Sequence, residues 1–264
     1  MARIAVGLEY DGSAYAGWQV QPAAPSIQAV TERALTRIAA RSVTLVCAGR
    51  TDAGVHALNQ VAHFDTPAVR GLRSWVLGAN SELPADVSLA WARPVPEHFH
   101  ARFSAEARTY RYLILNRGAR SALHMQRATW IHRPLDEAAM GEAAALLVGE
   151  HDFSAFRAAE CQARSPVRRL THLTVARRGD WVVIEAQANA FLHHMVRNLA
   201  GLLIAVGKGD AAPRWAREVL AGGDRTRAAA TAPAAGLYLA GVRYPAAFGL
   251  PSDPPAGLLP ADQL

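Results

Sequence analysis

The chain carries the same order of strand and helix patterns twice, and this repetition limits its possible folds more than any other feature. The first series runs strand, helix, strand, strand, helix, strand, over 3–10, 26–40, 43–48, 59–66, 71–80 and 86–95. The second series repeats that order over 108–116, 134–149, 168–178, 180–189, 191–207 and 237–244. One further helix is inserted at 213–222. Strands are marked by alternating apolar residues and helices by apolar residues three and four positions apart.

Each β-α-β-β-α-β series predicts one ferredoxin-like unit, an antiparallel sheet with its helices on one face. The predicted α+β chain therefore has an N-terminal half at 1–100, a C-terminal half at 101–245 and an irregular Pro-rich tail at 246–264. No Gly/Ser-rich linker separates the halves, so we expect them to pack rigidly. The open sheet face is the surface that RNA-recognition modules use for stacking bases.

Charge placement favours a nucleic-acid partner. The net charge is +6, and all but one of the 28 basic residues are arginine, an excess that a GC-rich genome also produces. The placement of the arginines is more informative than their number. Residues 101–133 contain seven arginines and only one acidic residue, and residues 157–178 contain six arginines and only one acidic residue. Such clusters suit a phosphate backbone. No run of 18 apolar residues occurs and the N-terminus reads as a strand, so we expect a cytoplasmic protein without a membrane span.

The stretch CAGRTDAGVHALNQVAHF, residues 47–64, contains Asp52 as its single acid. Asp52 is either a turn residue bonded to its own backbone or a reactive carboxylate. Arg50 stands two positions away, which in extended chain places both side chains on one face and keeps the carboxylate ionised. Gly49 and Gly54 allow a tight bend and a close approach to a ligand. An ionised, oriented carboxylate is able to act as nucleophile or base toward a sugar carbon.

Other chemistries find little support. The segment 201–210 has the wrong glycine spacing for a phosphate loop, and no G-x-S-x-G motif occurs. His193 and His194 fall within a predicted helix, which would point their rings about 100° apart and prevent both from binding one metal. We therefore expect neither a metal nor a small-molecule cofactor. Cys47 and Cys161 are interpreted as buried, reduced thiols.

Several motifs in order resemble the tRNA pseudouridine synthase A family over nearly the whole chain. GRTDAGVHA and QVAHF are accompanied by similar blocks at 10–22, 99–116, 152–168, 189–201 and 224–245. The resemblance implies two ferredoxin-like halves that form one extended, mostly antiparallel sheet with a central cleft. It also implies an isomerase that converts uridine to pseudouridine at positions 38, 39 and 40 of the tRNA anticodon stem-loop. Members act as homodimers, each tRNA crossing both subunits.

The resemblance also assigns roles to five residues. Asp52 is the catalytic aspartate, which either attacks C1′ or removes the C2′ proton. Arg50 pairs with Asp52 and helps to hold the flipped-out nucleotide. Tyr110 stacks on the uracil and takes part in proton transfer at C5, Arg197 pairs with the aspartate, and Leu237 lines the uracil pocket. The family usually has glycine where this chain has Asn59, and we expect asparagine to preserve a turn with positive φ there.

Three alternatives remain open. An RNA-binding protein without catalysis would explain the fold and the charge, but not the pairing of Arg50 with Asp52. A nucleoside glycosidase would need a second carboxylate, for which the candidates are Glu9, Asp11 and Glu185. A member of the same family acting on a different RNA would share every motif.

Overall fold

A computed structural model describes residues 1–251 and shows a mixed α+β protein whose strands pair mostly antiparallel. Contacts divide the described residues into two compact units. Unit 1 contains Met1–Glu106 together with 238–251, and unit 2 contains Ala107–Leu237. Residues 252–264, most of the predicted Pro-rich tail, lie outside the described part of the chain.

Unit 1 contains a mostly antiparallel sheet and two helices. Its elements are β1 (Ala2–Tyr10), α1 (Ile27–Ala39), β2 (Val46–Cys47), β3 (His56–Thr66), α2 (Leu72–Glu82), β4 (Val87–Val95) and β10 (Leu237–Arg243), of which only the first residue, Leu237, is counted in unit 2. The strands lie in the order β4-β1-β3-β10, and β2 adds to β3. Only β10 pairs parallel, with Tyr238 opposite His56. The two helices pack against each other, and α2 packs on β4.

Unit 2 repeats the combination of an antiparallel sheet with packed helices. Its elements are β5 (Ala107–Asn116), β6 (Thr129–Ile131), α3 (Glu137–Ala145), β7 (Gly149–Asp152), β8 (Val167–Arg178), β9 (Trp181–Ala188), α4 (Met195–Gly207) and α5 (Trp215–Gly222). The strands lie in the order β5-β9-β8-β7, with β6 parallel to β5. Helix α3 packs on β8 and on α4. The α+β class and the mostly antiparallel pairing are confirmed; the central cleft stays a prediction.

Several boundaries differ from the sequence prediction for identifiable reasons. Strand β2 is shorter than predicted because the Val43 and Leu45 amides donate to side chains of α1, at 3.1 Å to Thr36 and 2.8 Å to Glu32, rather than to a strand. Helix α3 starts at Glu137, later than the predicted 134, with the Asp136 carboxylate accepting from the Ala139 amide. Strands β6 and β7 were not predicted.

The prediction for the two adjacent histidines was wrong. His193 and His194 precede α4 rather than lie in it, because His194 has φ of 62° and breaks the right-handed helix. The amide of Ala158 donates to the His193 carbonyl at 3.1 Å, which holds this turn against a neighbouring loop. The two ring centroids are 4.0 Å apart, so the argument that a helix separates them does not hold. The absence of a metal stays a prediction.

The prediction for Asn59 was also wrong. Asn59 lies inside β3, and it is not among the described residues with positive φ. No turn needs to be preserved there. Its side chain is buried, and its Nδ2 has no hydrogen-bond partner within residues 1–251.

His63 on β3 is a buried histidine that the fold keeps neutral. Its Nδ1 accepts a hydrogen bond from the Ala101 amide at 3.1 Å. Burial, reinforced by the Arg3 charge and by His100, lowers the pKa of His63 to about 4. The unfolded chain binds a proton here below about pH 6.5, whereas the folded chain does not. The contribution of neutral His63 to the free energy of unfolding is therefore fully present above pH 6.5, and it is lost as the pH falls toward 4.

Replacing His63 by asparagine is expected to flatten the acid dependence of stability. The Asn Oδ1 can accept the Ala101 amide as Nδ1 does, but it does not titrate. Between pH 7 and pH 5 the wild type should lose about 2 kcal/mol more than the variant. Urea unfolding at the two pH values measures this difference, with exposed His98→Asn as the control. Equal losses in wild type and His63→Asn would contradict the assignment.

Candidate active site

The segment 48–55 between β2 and β3 is fixed by backbone hydrogen bonds on both sides. The Ala48 amide donates to Val61 at 2.7 Å, and the Trp18 amide donates to the Thr51 carbonyl at 3.0 Å. Within the loop, the Val55 amide donates to the Asp52 carbonyl at 3.1 Å. Asp52 is therefore presented by a tightly held loop and not by a loose surface turn.

Burial alternates along this loop. Thr51 is 6% exposed, whereas Asp52 is half-buried and Arg50 is exposed. Thr51 thus points into unit 1, which leaves its two neighbours on the outward side, as expected for side chains two positions apart. The Arg50 guanidinium makes no hydrogen bond or ion pair within residues 1–251, so its predicted pairing with Asp52 stays a prediction.

A polar network on the interior side of the loop connects it to strands β1 and β3. The Tyr10 hydroxyl lies 2.8 Å from the Thr51 hydroxyl, and the Gln60 Nε2 lies 3.4 Å from the same Tyr10 oxygen. The Gln60 side chain also bonds both backbone groups of Gly49: Nε2 donates to the carbonyl at 2.6 Å, and Oε1 accepts the amide at 3.4 Å. Tyr10 and Gln60 therefore fix the backbone on which Arg50 and Asp52 stand.

Replacing Gln60 by leucine is expected to lower kcat about 10- to 100-fold with little change in KM. The change leaves two half-buried polar groups of Gly49 without their partner, at a cost of about 1 kcal/mol, and lets the loop move. Steady-state kinetics and urea unfolding together measure the effect. The exposed Gln126→Leu is the control. A loss of stability at unchanged kcat would mean that Gln60 stabilises the fold without positioning Asp52.

The segment 10–18 forms a second support that the sequence interpretation did not recognise. A Cβ on Gly12 would lie 2.0 Å from the Val55 carbonyl oxygen, so only glycine fits there. Gly17 has φ of 95°, and a Cβ would lie 2.6 Å from the Thr51 oxygen. The Gly54 amide donates to the Tyr15 carbonyl at 3.3 Å. The glycines and aromatic residues of YDGSAYAGW were the signal that this segment lies against the loop.

His56 joins the same region to the last strand. Its Nδ1 accepts the Gly12 amide at 3.1 Å and lies 3.2 Å from the Asp11 carboxylate. Its ring stacks on Tyr238 of β10, with centroids 4.6 Å apart. Asp11 also accepts the Ser13 amide at 3.0 Å. Asp11 therefore has a structural role, which weakens it as the second carboxylate of a glycosidase.

The remaining predicted site residues belong to unit 2. Tyr110 lies on β5 opposite Ala186, is 9% exposed, and meets Phe191 edge-on at 5.1 Å between centroids. Arg197 lies on α4, half-buried, with its Nε donating to the Ala232 carbonyl at 2.9 Å. Leu237 is buried at the start of β10. The units thus divide the predicted residues, with Arg50 and Asp52 on one and these three on the other.

The sequence interpretation also missed the structural role of Asn198. It is 1% exposed, and its Nδ2 donates to the Phe156 carbonyl at 2.8 Å. Its Oδ1 accepts from Arg225 at 3.0 Å and from Thr231 at 2.7 Å. Asn198 therefore fastens the segment 225–231 to α4, one residue after Arg197. A polar residue inside an apolar helix was the available signal.

The two cysteines are free and buried. Burial raises the pKa of the Cys47 thiol to about 12, and the charges of Arg50 and Arg102 only partly oppose this. Cys47 stays protonated at neutral pH and is no nucleophile. Glu185 forms an ion pair with Arg111 at 2.8 Å, so this candidate second carboxylate also has a structural partner.

Comparison with known proteins decides the family. A model described as tRNA pseudouridine synthase matches residues 8–104 and 143–245, most of the chain. The chain belongs to this family. It is 59% identical to tRNA pseudouridine synthase A of Methylococcus capsulatus, covering 98% of this chain and 96% of that protein. The protein of the same name from Nitrosococcus oceani is 57% identical over 94% and 96%, and that from Pseudomonas aeruginosa 54% over 95% and 88%. The resemblance drawn from the sequence is confirmed, and with it the isomerase class.

The part of the chain at 1–251 contains no helix with the length and hydropathy needed to cross a bilayer.

Proposed function

We propose that this chain isomerises uridine to pseudouridine at positions 38, 39 and 40 of the tRNA anticodon stem-loop, with Asp52 as the catalytic residue. The observation that carries the proposal is the held loop of unit 1, which turns Thr51 inward and leaves Arg50 and Asp52 on its outer side. The loop has no second acid, in agreement with a reaction that rearranges a glycosidic bond without hydrolysing it.

Asp52 acts on the ribose of the flipped-out uridine. The C1′–N1 bond breaks, the uracil turns, and C5 bonds to C1′ while the C5 proton leaves and N1 gains a proton from solvent. Two routes are consistent with one carboxylate: attack on C1′, or removal of the C2′ proton. Arg50 is an exposed cation two positions from Asp52. It binds the nucleotide, and its positive charge keeps the Asp52 carboxylate ionised. Neither role requires a cofactor.

Unit 2 supplies the groups that hold the base. Tyr110 stacks on the uracil, and its ring is already held by Phe191. Arg197 contributes a cation whose position is fixed by the Ala232 carbonyl. Leu237 is buried and apolar, and the resemblance assigns it to the uracil pocket. The resemblance further implies a cytoplasmic homodimer in which one tRNA contacts both subunits, and we propose the same assembly here.

The proposal is tested with tRNA transcripts tritiated at C5 of uridine, since isomerisation releases that proton to water. Transcripts with uridine at 38, 39 or 40 should release tritium, and matched transcripts with cytidine at those positions should release none. Release that persists in the cytidine transcripts would place the activity elsewhere in the RNA. Binding of tRNA without release would favour the RNA-binding alternative and return Asp52 to the role of a turn residue.

A further inference from the structure

The segment His100–Ser104, here called the aromatic turn, is closed by hydrogen bonds among its own residues. The Ser104 amide donates to the His100 carbonyl at 2.8 Å, and the His100 amide donates to the Ser104 hydroxyl at 2.9 Å. The amides of Arg102 and Phe103 donate to the His100 Nδ1 at 3.2 and 3.3 Å. The turn is therefore preorganised, and the side chains at its tip project from a fixed backbone.

Phe103 at the tip exposes 75% of its surface to solvent. Its ring rests on the His100 ring, with centroids 4.3 Å apart and planes 31° from parallel. The Arg102 guanidinium carbon lies 5.5 Å from the Phe103 centroid. An aromatic ring that is supported from one side, open to solvent and next to a cation has the features of a stacking site for nucleobases.

The aromatic turn is anchored beside the strand that leads into the Asp52 loop. The His100 ring meets His63 at 5.0 Å, and the Ala101 amide donates to the His63 Nδ1. His63 pairs with Val46 of β2, and β2 ends at Cys47, three residues before Arg50. The charges of Arg50 and Arg102 both act on the Cys47 thiol. Both arginines therefore lie close enough to Cys47 for their charges to act on it.

We propose that His100, Arg102 and Phe103 form an accessory site that stacks an unpaired base of the substrate RNA, with Arg102 drawn to the adjoining phosphate. This proposal rests on the proposed function, because it takes the RNA at the Asp52 loop as the occupant. The turn itself contains no acid, and the positive charge of Arg102 complements a nucleotide rather than a hydrophobic peptide. The site adds affinity for RNA and takes no part in bond making.

The test compares Phe103→Ala, Phe103→Leu and Phe103→Tyr in filter binding to tRNA transcripts at fixed salt and in single-turnover tritium release. Loss of stacking should raise Kd about 5- to 150-fold for alanine. Leucine should share most of that loss, because it is apolar but not aromatic, while tyrosine should stay near wild type. The single-turnover rate at saturating enzyme should be unchanged. Val69→Ala, a residue 90% exposed in the same unit, is the control and should bind normally.

Each other result has a defined meaning. Wild-type Kd in Phe103→Ala, with the wild type active, would overturn the stacking site and leave the proposed function standing. Full affinity in Phe103→Leu would also overturn it, since apolar contact and not stacking would then be responsible. A change in oligomeric mass on sedimentation, without weaker binding per subunit, would assign Phe103 to a protein contact instead. An inactive wild type would refute the proposed function, whatever the binding results.

Discussion

Replacing Asp52 by asparagine is expected to abolish tritium release while tRNA binding persists. Asparagine has the size of aspartate but acts neither as a nucleophile nor as a base at neutral pH. Both routes proposed for this carboxylate fail without it, and the rate should fall by about 10⁴-fold or more. The loop should keep its shape, because the Val55 amide donates to the backbone carbonyl of residue 52, which the substitution leaves in place. Single-turnover release, filter binding and urea unfolding measure the three quantities.

Exposed Glu97→Gln is the matched control, since it makes the same chemical change in the same unit. It should keep full activity. Release by Asp52→Asn within tenfold of the wild type would contradict the catalytic role. In that case the carboxylate would serve the loop only, and the reactive group would have to be sought elsewhere.

Replacing Gly17 by alanine should produce the second largest effect, on activity and stability together. The new Cβ would lie 2.6 Å from the Thr51 carbonyl oxygen and 3.0 Å from the Asp52 carbonyl carbon, and φ of 95° disfavours any side chain. The loop must shift to relieve the overlap. We expect about 100-fold lower kcat, since displacement of a catalytic group by about 1 Å has that effect, and roughly 1–3 kcal/mol lower stability.

The variant Gly179→Ala is a control that introduces backbone strain at a positive φ without displacing a neighbouring segment. Gly179 has φ of 54° in the β8–β9 turn, and a Cβ there would meet nothing within 4 Å. That variant should lose some stability at unchanged kcat. If Gly17→Ala behaves in the same way as Gly179→Ala, segment 10–18 does not position Asp52. Urea unfolding and steady-state kinetics of both variants make the comparison.

The sequence predicted elements well where local preference and tertiary contacts agree. Ser26 caps α1, as expected, by accepting the Ala29 amide at 3.3 Å. Strands β8 and β9 form the predicted hairpin around Gly179. The predicted boundaries were wrong where a backbone group forms a hydrogen bond with a residue distant in the sequence. Glu32 takes the Leu45 amide that β2 would otherwise use, and His194 adopts positive φ where apolar periodicity favoured a longer helix.

The same distinction applies to the candidate site. Asp52 could be singled out because its loop is a contiguous motif with a single acid. Its supports, Tyr10 and Gln60, are each unremarkable in sequence, and only the pairing of β1 with β3 brings them under Thr51. Asn59 shows the opposite error, since a family comparison suggested a turn where the chain forms a continuous strand.

The parallel pairing of β10 with β3 has a consequence for the order of biosynthesis. Tyr238, which stacks on His56, is translated more than 180 residues after it, with all of unit 2 in between. The nascent N-terminal segment leaves the ribosome before β10 is available to pair with the start of β3, at His56 and Ala57. The unit that carries Asp52 is therefore completed only when nearly the whole chain has emerged, so a truncated product would lack a finished catalytic unit.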